Sequence, residues 1–440
     1  MKGLIVRELE AVTCNGRNVG TRKNYSEVTM GSMGRREAPK SVEEAGLDRA
    51  FVAELLLKHL LHLGEFMMAD VAERLKLPIS LVEPALEEHR KDQLIEIKSA
   101  ANYSSMSYLF RLTEAGRKRA HEAMELCRYA GPAPVSLEDY RHMVQLQTVR
   151  SITICDEELK AAFSHLIVSD AVRRRLGPAL ISGQAVLIFG PSGNGKTSIA
   201  EALGRALPEN VYLPYAITVA GQIINVLDPV CHSVVDPPGG TEGSDARWVL
   251  IKRPVIVTGG ELTLKMLDLN FDPLAKFYDA SLQMKANNGI FILDDFGRQQ
   301  VEPVSILNRW IVPLERGIDH MTLHTGKKFV IPFDVLALFS TDLEPKDLVH
   351  QAFLRRLRYK VRIERPTDGE YLAIFRDACK ASELEFDTQA YAFLVEQGHG
   401  RHEEQRSACH ARDLIDLIMT KARYEQKNRN LPWKPSGRPV

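Results

Sequence analysis

Gly190-Pro191-Ser192-Gly193-Asn194-Gly195-Lys196-Thr197 is the stretch on which the fold turns. Its spacing, G-x-x-x-x-G-K-[ST], is that of a phosphate-binding P-loop. The run before it, Ala185-Val186-Leu187-Ile188-Phe189, is apolar and ends at a glycine, as a buried parallel strand does. The run after it, from Ser198 through Ala200, Ala202 and Leu203 to Ala206, can form a helix. Strand, tight glycine loop and helix start are the setting that gives the motif its meaning. A glycine-rich turn with a chance lysine is the competing reading.

The chemistry follows from the residue types. Glycines let backbone N–H groups face inward around a phosphate, because no Cβ intervenes. A helix starting near Gly195 aims its free N–H groups and positive dipole end at the same anion. Lys196 reaches the outer phosphates, and the Thr197 hydroxyl can ligate Mg²⁺. Gly190 through Thr197, with Ser198, are therefore the expected contacts to ATP.

The 440 residues suit two or three domains. Lys and Arg total 57 and Asp and Glu total 57, so no global charge draws the chain to nucleic acid or to an anionic membrane. No apolar run approaches the length of a membrane span. The start, Met1-Lys2-Gly3-Leu4, leads into polar residues without a signal-peptide core. The six cysteines (Cys14, Cys127, Cys155, Cys231, Cys379 and Cys409) form no C-x-x-C and read as cytosolic thiols, which places the protein in the cytoplasm. The adjacent pairs Cys231-His232 and Cys409-His410 lack metal-ligand spacing.

Residues 1–44 read as a flexible basic arm, with a plain solvated tail as the alternative. From Leu47, apolar residues recur at helical spacing (Val52, Leu55, Leu56, Leu60, Leu63), and a second helix runs from Ala69 to Leu75. A third starts at Pro78-Ile79-Ser80, where Ser80 and Glu83 are spaced as a capping box. Leu94–Ile97 and Tyr108–Leu112 read as strands, and Thr113 caps a closing helix to about Cys127. This order, with its Leu112-Thr113-Glu114-Ala115-Gly116-Arg117 turn, resembles a winged-helix domain over 45–130. Such domains often place the third helix in DNA. Here that helix carries Glu83, Glu87 and Glu88 beside His89, Arg90 and Lys91, so a protein contact is as well supported as a DNA contact. Gly131-Pro132-Ala133-Pro134 opens an expected linker over 131–151. Phe163, Leu166, Ile167 and Val172 pattern as a helix before the P-loop strand.

About a hundred residues beyond the P-loop comes Gly289-Ile290-Phe291-Ile292-Leu293-Asp294-Asp295. An apolar strand ending in acids is a Walker B pattern. Asp294 is the expected partner of Mg²⁺. Asp295 is the expected residue that orients the attacking water, one methylene shorter than the more usual Glu.

Together these motifs resemble those of AAA+ ATPases, over roughly Ile152 to Arg423. The expected fold is α/β: a P-loop AAA+ core with a parallel sheet over 152–365, a small helical C-terminal lid over 366–425, and the N-terminal α+β winged helix. A tail over 426–440 reads as disordered. Leu282–Gly289 looks like the lead-in to Walker B of MoxR-like and enhancer-activator relatives. The resemblance puts a polar sensor at Ser340-Thr341-Asp342, where Asp342 stands in place of the usual Asn and Thr341 shares or takes the role. It puts an arginine finger within Ala352-Phe353-Leu354-Arg355-Arg356-Leu357, with Arg356 the first choice and Arg355 the second. It puts a second sensor at Arg412. A finger acts on a neighbour's nucleotide, so the resemblance implies a homo-hexamer, as ring or spiral, that remodels or moves a protein or DNA client. An ATP-gated DNA-binding regulator or loader, and a nucleotide-binding scaffold without turnover, are the alternatives.

Trp248–Val257 and Leu262–Leu269 read as two strands around Thr258-Gly259-Gly260-Glu261, a hairpin. By the same resemblance it is a candidate to meet the client through Trp248, Leu250, Lys252 and Arg253; an edge hairpin covering the sheet is the alternative. Met321–Val330 reads as a second hairpin, turning at Thr325–Lys328.

Overall fold

The computed structural model describes residues 36–100, 108–208, 210–237, 243–348, 354–399 and 407–424. Expectations for 1–35, for Ala352 and Phe353, and for the tail 426–440 lie outside these residues. The described end of the expected flexible arm, residues 36–44, is instead packed: Arg36 meets Asp139 at 2.6 Å and Ala38 N donates to Gly243 O at 3.0 Å.

The first unit runs α1 (Arg49–Leu63), β1 (Glu65–Phe66), α2 (Met68–Leu75), α3 (Ile79–Lys91), β2 (Ile95–Ala100), β3 (Tyr108–Leu112) and α4 (Glu114–Leu126). Its strands form a sheet in the order β1-β3-β2. Thr113 caps α4 by accepting from Gly116 N at 3.0 Å. Gly116 is required there, because a Cβ would meet Leu94 O at 1.9 Å. The capping box expected at Ser80 and Glu83 is not formed: Pro78 occupies the N-cap of α3 and no side chain caps it.

This unit packs against the second half of the chain, since Ala216 and Ile223 belong to its buried cluster. A buried ion pair fixes the seam. Arg247 meets Asp245 at 2.8 Å and also donates to Ala45 O and Pro134 O. The segment expected as a linker is likewise built in: β4 (Val135–Ser136) pairs parallel with β7 (Ala216–Val219), and α5 (Leu137–Leu146) buries Tyr140, Met143 and Val144. Polar residues on its outer face hid that apolar stripe.

The central layer is built from α6 (Asp156–Ala162), α7 (Asp170–Ile181), β5 (Val186–Phe189) and α8 (Lys196–Ala206). The expected helix across Phe163–Val172 is instead two helices with a loop over 164–169 between them. After β6 (Asn210–Pro214), β7 and β8 (Gln222–Asn225) come β9 (Trp248–Lys252), β10 (Val255–Thr258), β11 (Asn270–Asp272) and β12 (Phe277–Asp279). The chain then forms α9 (Leu282–Lys285), β13 (Gly289–Leu293), α10 (Pro303–Arg309), α11 (Ile311–Arg316), β14 (Ile318–Thr322), β15 (Lys328–Pro332), β16 (Val335–Thr341), α12 (Pro345–Leu348) and β17 (Tyr359–Arg362). The C-terminal helices α13 (Asp368–Ala381), α14 (Thr388–His399) and α15 (Ala408–Tyr424) share a small core around Tyr371, Phe375 and Ile415.

The class is α/β. The main sheet has the order β10-β13-β16-β5-β17, and every pairing in it is parallel. Its inner strands β13, β16 and β5 are almost wholly buried, because both faces are covered, while the edge strands β10 and β17 leave Val257, Lys360 and Arg362 exposed. After β5 the chain crosses to the far edge, returns through β13 and β16, and only then adds β17 on the other side. The order therefore reverses at β5. In open parallel sheets, ligands bind outside the carboxyl ends of the strands at such a reversal. A second sheet, β11-β12-β8-β7-β4, lies under the first unit. The hairpin expected at Met321–Val330 forms as β14 and β15, antiparallel.

The other expected hairpin does not form. β9 pairs antiparallel with β6, while β10 is the edge strand of the main sheet beside β13. Trp248 and Leu250 are buried. Arg253 is buried too, and its guanidinium donates to the carbonyls of Pro208, Gln147 and Asn288. Three carbonyls that would otherwise lack partners recruit the charge inward, so Arg253 is a structural bolt and not a surface contact. No described helix is long and apolar enough to cross a membrane.

Candidate nucleotide site

Residues 190–197 form the turn between β5 and α8. Gly190, Gly193 and Gly195 take φ of 138°, 77° and 74°, values that L side chains resist. A Cβ on Gly190 would meet Ile363 O at 2.1 Å, and one on Gly193 would meet Cys409 Sγ at 2.5 Å. The loop is thus pressed between β17 and the first turn of α15. Cys409 N donates to Gly193 O at 2.8 Å, and Ala408 N donates to Asn194 Oδ1 at 3.1 Å. Asn194 Nδ2 in turn holds Pro191 O. Asn194 therefore shapes the loop with its side chain.

Lys196 is buried, and its ammonium donates to Gly190 O and Pro191 O, each at 3.0 Å. Burial pushes it below the ordinary lysine value, against the pull of Asp342, Asp295 and Asp294. The Lys196 ammonium is thus drawn onto the carbonyls of its own loop.

Sheet register delivers the acids. Leu293 pairs with Phe339, and Ser340 and Thr341 pair with Ile188 and Phe189. Asp294 and Ser340 therefore emerge level with the strand that feeds the P-loop. Thr197 Oγ1 lies 2.9 and 2.8 Å from the two Asp294 carboxylate oxygens. Ser340 Oγ donates to the same carboxylate. This is a compact set of hard oxygen donors at the start of α8, the kind that suits Mg²⁺.

Asp295 is exposed and adopts φ of 47°. Asp tolerates the left-handed region better than Glu does, which accounts for the shorter acid at this turn. Sequence reasoning did not single out Gln299. It holds the turn by donating to Asp294 O at 2.8 Å and accepting from Gly297 N at 2.8 Å.

At the tip of β16 the expectation needs correcting. Thr341 is fully buried, and its hydroxyl donates to Phe296 O at 2.7 Å. Side chains alternate along a strand, so Ser340 and Asp342 share the site's face while Thr341 takes the other. Asp342 is matched by Arg298, whose Nη2 stands 2.5 Å from Oδ2. Hydrogen bonding from Arg298 holds the Asp342 carboxyl below the usual carboxylate range. A neutralising arginine, which sequence reasoning missed, explains how an acid can stand where a neutral amide was expected.

A cleft of about 520 Å³ opens between the loop and the C-terminal helices. Gly193, Gly195 and Ser198 line it on one side, and Arg412 on the other. Ile167, Val168 and Ile374 supply apolar wall. Ile167 and Val168 come from the unforeseen loop between α6 and α7. Ser192 is exposed on the loop.

Arg355 and Arg356 are elsewhere. They line a cavity with Gln184, Ala185 and Val335, at the amino ends of β5 and β16. The full length of the strands separates them from Asp294 in the same chain. Arg356 Nε meets Glu315 at 2.5 Å.

His232 is committed to the backbone. Its Nδ1 accepts from Asp228 N, and its Nε2 faces Lys285 O, each at 2.9 Å. Among the described residues, no group of three or more His, Cys, Asp or Glu side chains is placed to hold a metal ion.

Residues 367–432 match a family described as a domain of unknown function (DUF8689). No curated protein matches the chain in sequence. Solved structures overlap it at low identity. NtrX from Brucella abortus is 13% identical with a TM-score of 0.40, over 64% of this chain and 58% of its own. The Thermotoga maritima RuvB Holliday junction branch migration motor is 15% identical with a TM-score of 0.33, over 63% of this chain and 65% of its own. Domain III of the Thermotoga maritima replication initiation protein DnaA is 13% identical with a TM-score of 0.34, over 61% of this chain and 92% of its own. The chain thus spans under two thirds of the length of NtrX and RuvB.

Proposed function

We propose that this chain is a Mg²⁺-dependent ATPase of the AAA+ type that works as a homo-oligomeric ring or spiral in the cytoplasm. On this reading the first unit is a winged helix and α13–α15 are the lid. The observation that carries it is the meeting of Thr197, Asp294 and Ser340 beside a glycine loop, at the strand reversal where a parallel sheet takes its ligands.

Each residue then has a task. Backbone amides of 192–198 wrap the phosphates, and Lys196 sets its charge against the outer two. Thr197 and Asp294 would hold Mg²⁺, which neutralises phosphate charge when bound. Asp295 orients the attacking water, with Gln299 keeping its turn in place. Arg412 faces the phosphates from the lid, and Ile167, Val168 and Ile374 offer the base an apolar seat. Arg355 and Arg356 lie too far away to serve their own site, so they serve a neighbour's.

The first unit favours a protein client over DNA. On α3, Arg90 is already engaged by Glu87 at 2.6 Å, and Glu88 is exposed beside it. That face would repel phosphates.

The test is steady-state phosphate release from ATP and Mg²⁺. Turnover by the full chain, abolished by Lys196→Ala, is the expected result. A folded chain that never binds ATP would sink the proposal.

A further inference from the structure

The cavity at the amino ends of β5 and β16, about 430 Å³, is lined by Arg150, Arg355, Arg356 and Arg358. Glu315 is the one carboxylate among its lining residues, and it is taken by Arg356. Arg150, Arg355 and Arg358 are exposed and make no ion pair among the described residues. Like charges crowded into one concavity raise its potential and ask for an anion.

Arg150 is the unexpected member. It precedes the strand-and-helix core, on a short turn over Val149–Ser151. Two glycines make room for it. A Cβ on Gly183 would come within 2.8 Å of Arg150 Cγ, and one on Gly317 within 3.0 Å of its guanidinium. Both glycines sit at positive φ, 60° and 66°, and Gly317 ends α11. Gly183 ends the turn that leads into β5. Two separate connections thus leave a channel along which the Arg150 side chain lies. The turn that carries Arg150 is itself pinned: Asp334, at the foot of β16, accepts from Thr148 Oγ1 at 2.6 Å and from Val149 N at 2.9 Å.

We propose that this cavity is a triphosphate-binding site in which Arg150 acts beside Arg355, Arg356 and Arg358, on the nucleotide held by the P-loop of a neighbouring copy. This rests on the ATPase reading above. Arg150 adds a cation that no finger motif supplies, and its fixed path over Gly183 and Gly317 presents it without a search through rotamers. A free polyphosphate would be bound by the same chemistry, and the experiment separates the two sources.

Four variants of the full chain are compared, the fourth being the double variant Arg150→Ala with Lys196→Ala. Arg150→Ala removes the guanidinium. Arg150→Lys keeps a charge and an aliphatic stem over the two glycines. Lys196→Ala disables the P-loop but leaves the cavity intact. Arg150→Ala is expected to lower kcat about tenfold or more, with fluorescent-ATP affinity of the dilute protein unchanged and Arg150→Lys intermediate. Mixing Arg150→Ala with Lys196→Ala, each slow alone, should restore turnover, because one copy supplies the loop and the other the cavity. If mixing restores nothing, but Lys196→Ala binds inorganic triphosphate in a calorimeter and the double variant does not, the cavity serves a free anion and the neighbour assignment is overturned. Wild-type turnover in Arg150→Ala, with no triphosphate binding by Lys196→Ala, overturns the site altogether. In that case active wild-type protein leaves the ATPase reading standing.

Discussion

Thr197 Oγ1 reaches both carboxylate oxygens of Asp294, at 2.9 and 2.8 Å, across 97 residues of sequence. The contact ties the start of α8 to the end of β13, and β16 lies between β13 and the P-loop strand. Asp294→Asn keeps the shape and removes the charge. We expect a loss of about 3 kcal/mol in transition-state stabilisation, or roughly a hundredfold in turnover. Phosphate release, with a thermal midpoint as the folding control, checks it. Unchanged turnover would remove Asp294 from the metal role.

Asp295 occupies the left-handed region, which Asn also tolerates. Asp295→Asn should therefore fold and bind ATP normally while hydrolysing it at least about tenfold more slowly. Nucleotide titration and single-turnover kinetics separate the two. Weaker binding with normal chemistry would show that the acid only shapes the turn.

Gly193→Ala puts a Cβ within 2.5 Å of Cys409 Sγ at a φ of 77°. The strain should cost about 1–3 kcal/mol. It should appear as a lower thermal midpoint and weaker ATP binding. Adding Cys409→Ala should recover part of the loss, since only the backbone strain then remains. No recovery would mean that the contact with α15 is incidental.

Burial lowers the pKa of His232 below the ordinary histidine value, and its Nδ1 already accepts an N–H. The folded state thus holds the neutral ring. As pH falls below about 6.5 the unfolded chain gains a proton that the folded one refuses, so stability drops by up to about 1.4 kcal/mol per pH unit until the folded pKa is passed. Thermal midpoints at about pH 7.5 and about pH 5.5 should differ more for the natural chain than for His232→Asn. An equal difference would assign the acid sensitivity to other groups, with His59, also lowered by burial, the next to change.

Most features set by local backbone chemistry were legible in the sequence, the Ser80–Glu83 box displaced by Pro78 being an exception. The glycine loop, the acid-tipped strand and the Thr113 cap depend on residues a few positions apart, and each is found where its pattern lies. Features set by distant pairing were not. Trp248–Val257 and Leu262–Leu269 have the composition of a hairpin, but the first stretch splits into two strands that find partners in β6 and β13, and the second holds a short 3-10 turn at Leu264–Leu267. Arg253 looks like a surface cation until three buried carbonyls claim it. Ser340 and Thr341 differ only in which face of β16 they occupy, and strand parity decides that once Thr341 is seen to be buried. Arg298 answers Asp342 from 44 residues away, a separation that no spacing rule spans.

The two hydrogen bonds from the first turn of α15 to Gly193 and Asn194 make the C-terminal helices a lever hinged on the phosphate cradle. On the proposed ATPase reading, swinging that lever outward would strain or sever those bonds and slacken the loop around its nucleotide. Force on the outer helices would then be transmitted to product eviction, and a tightly held nucleotide would keep the lever shut.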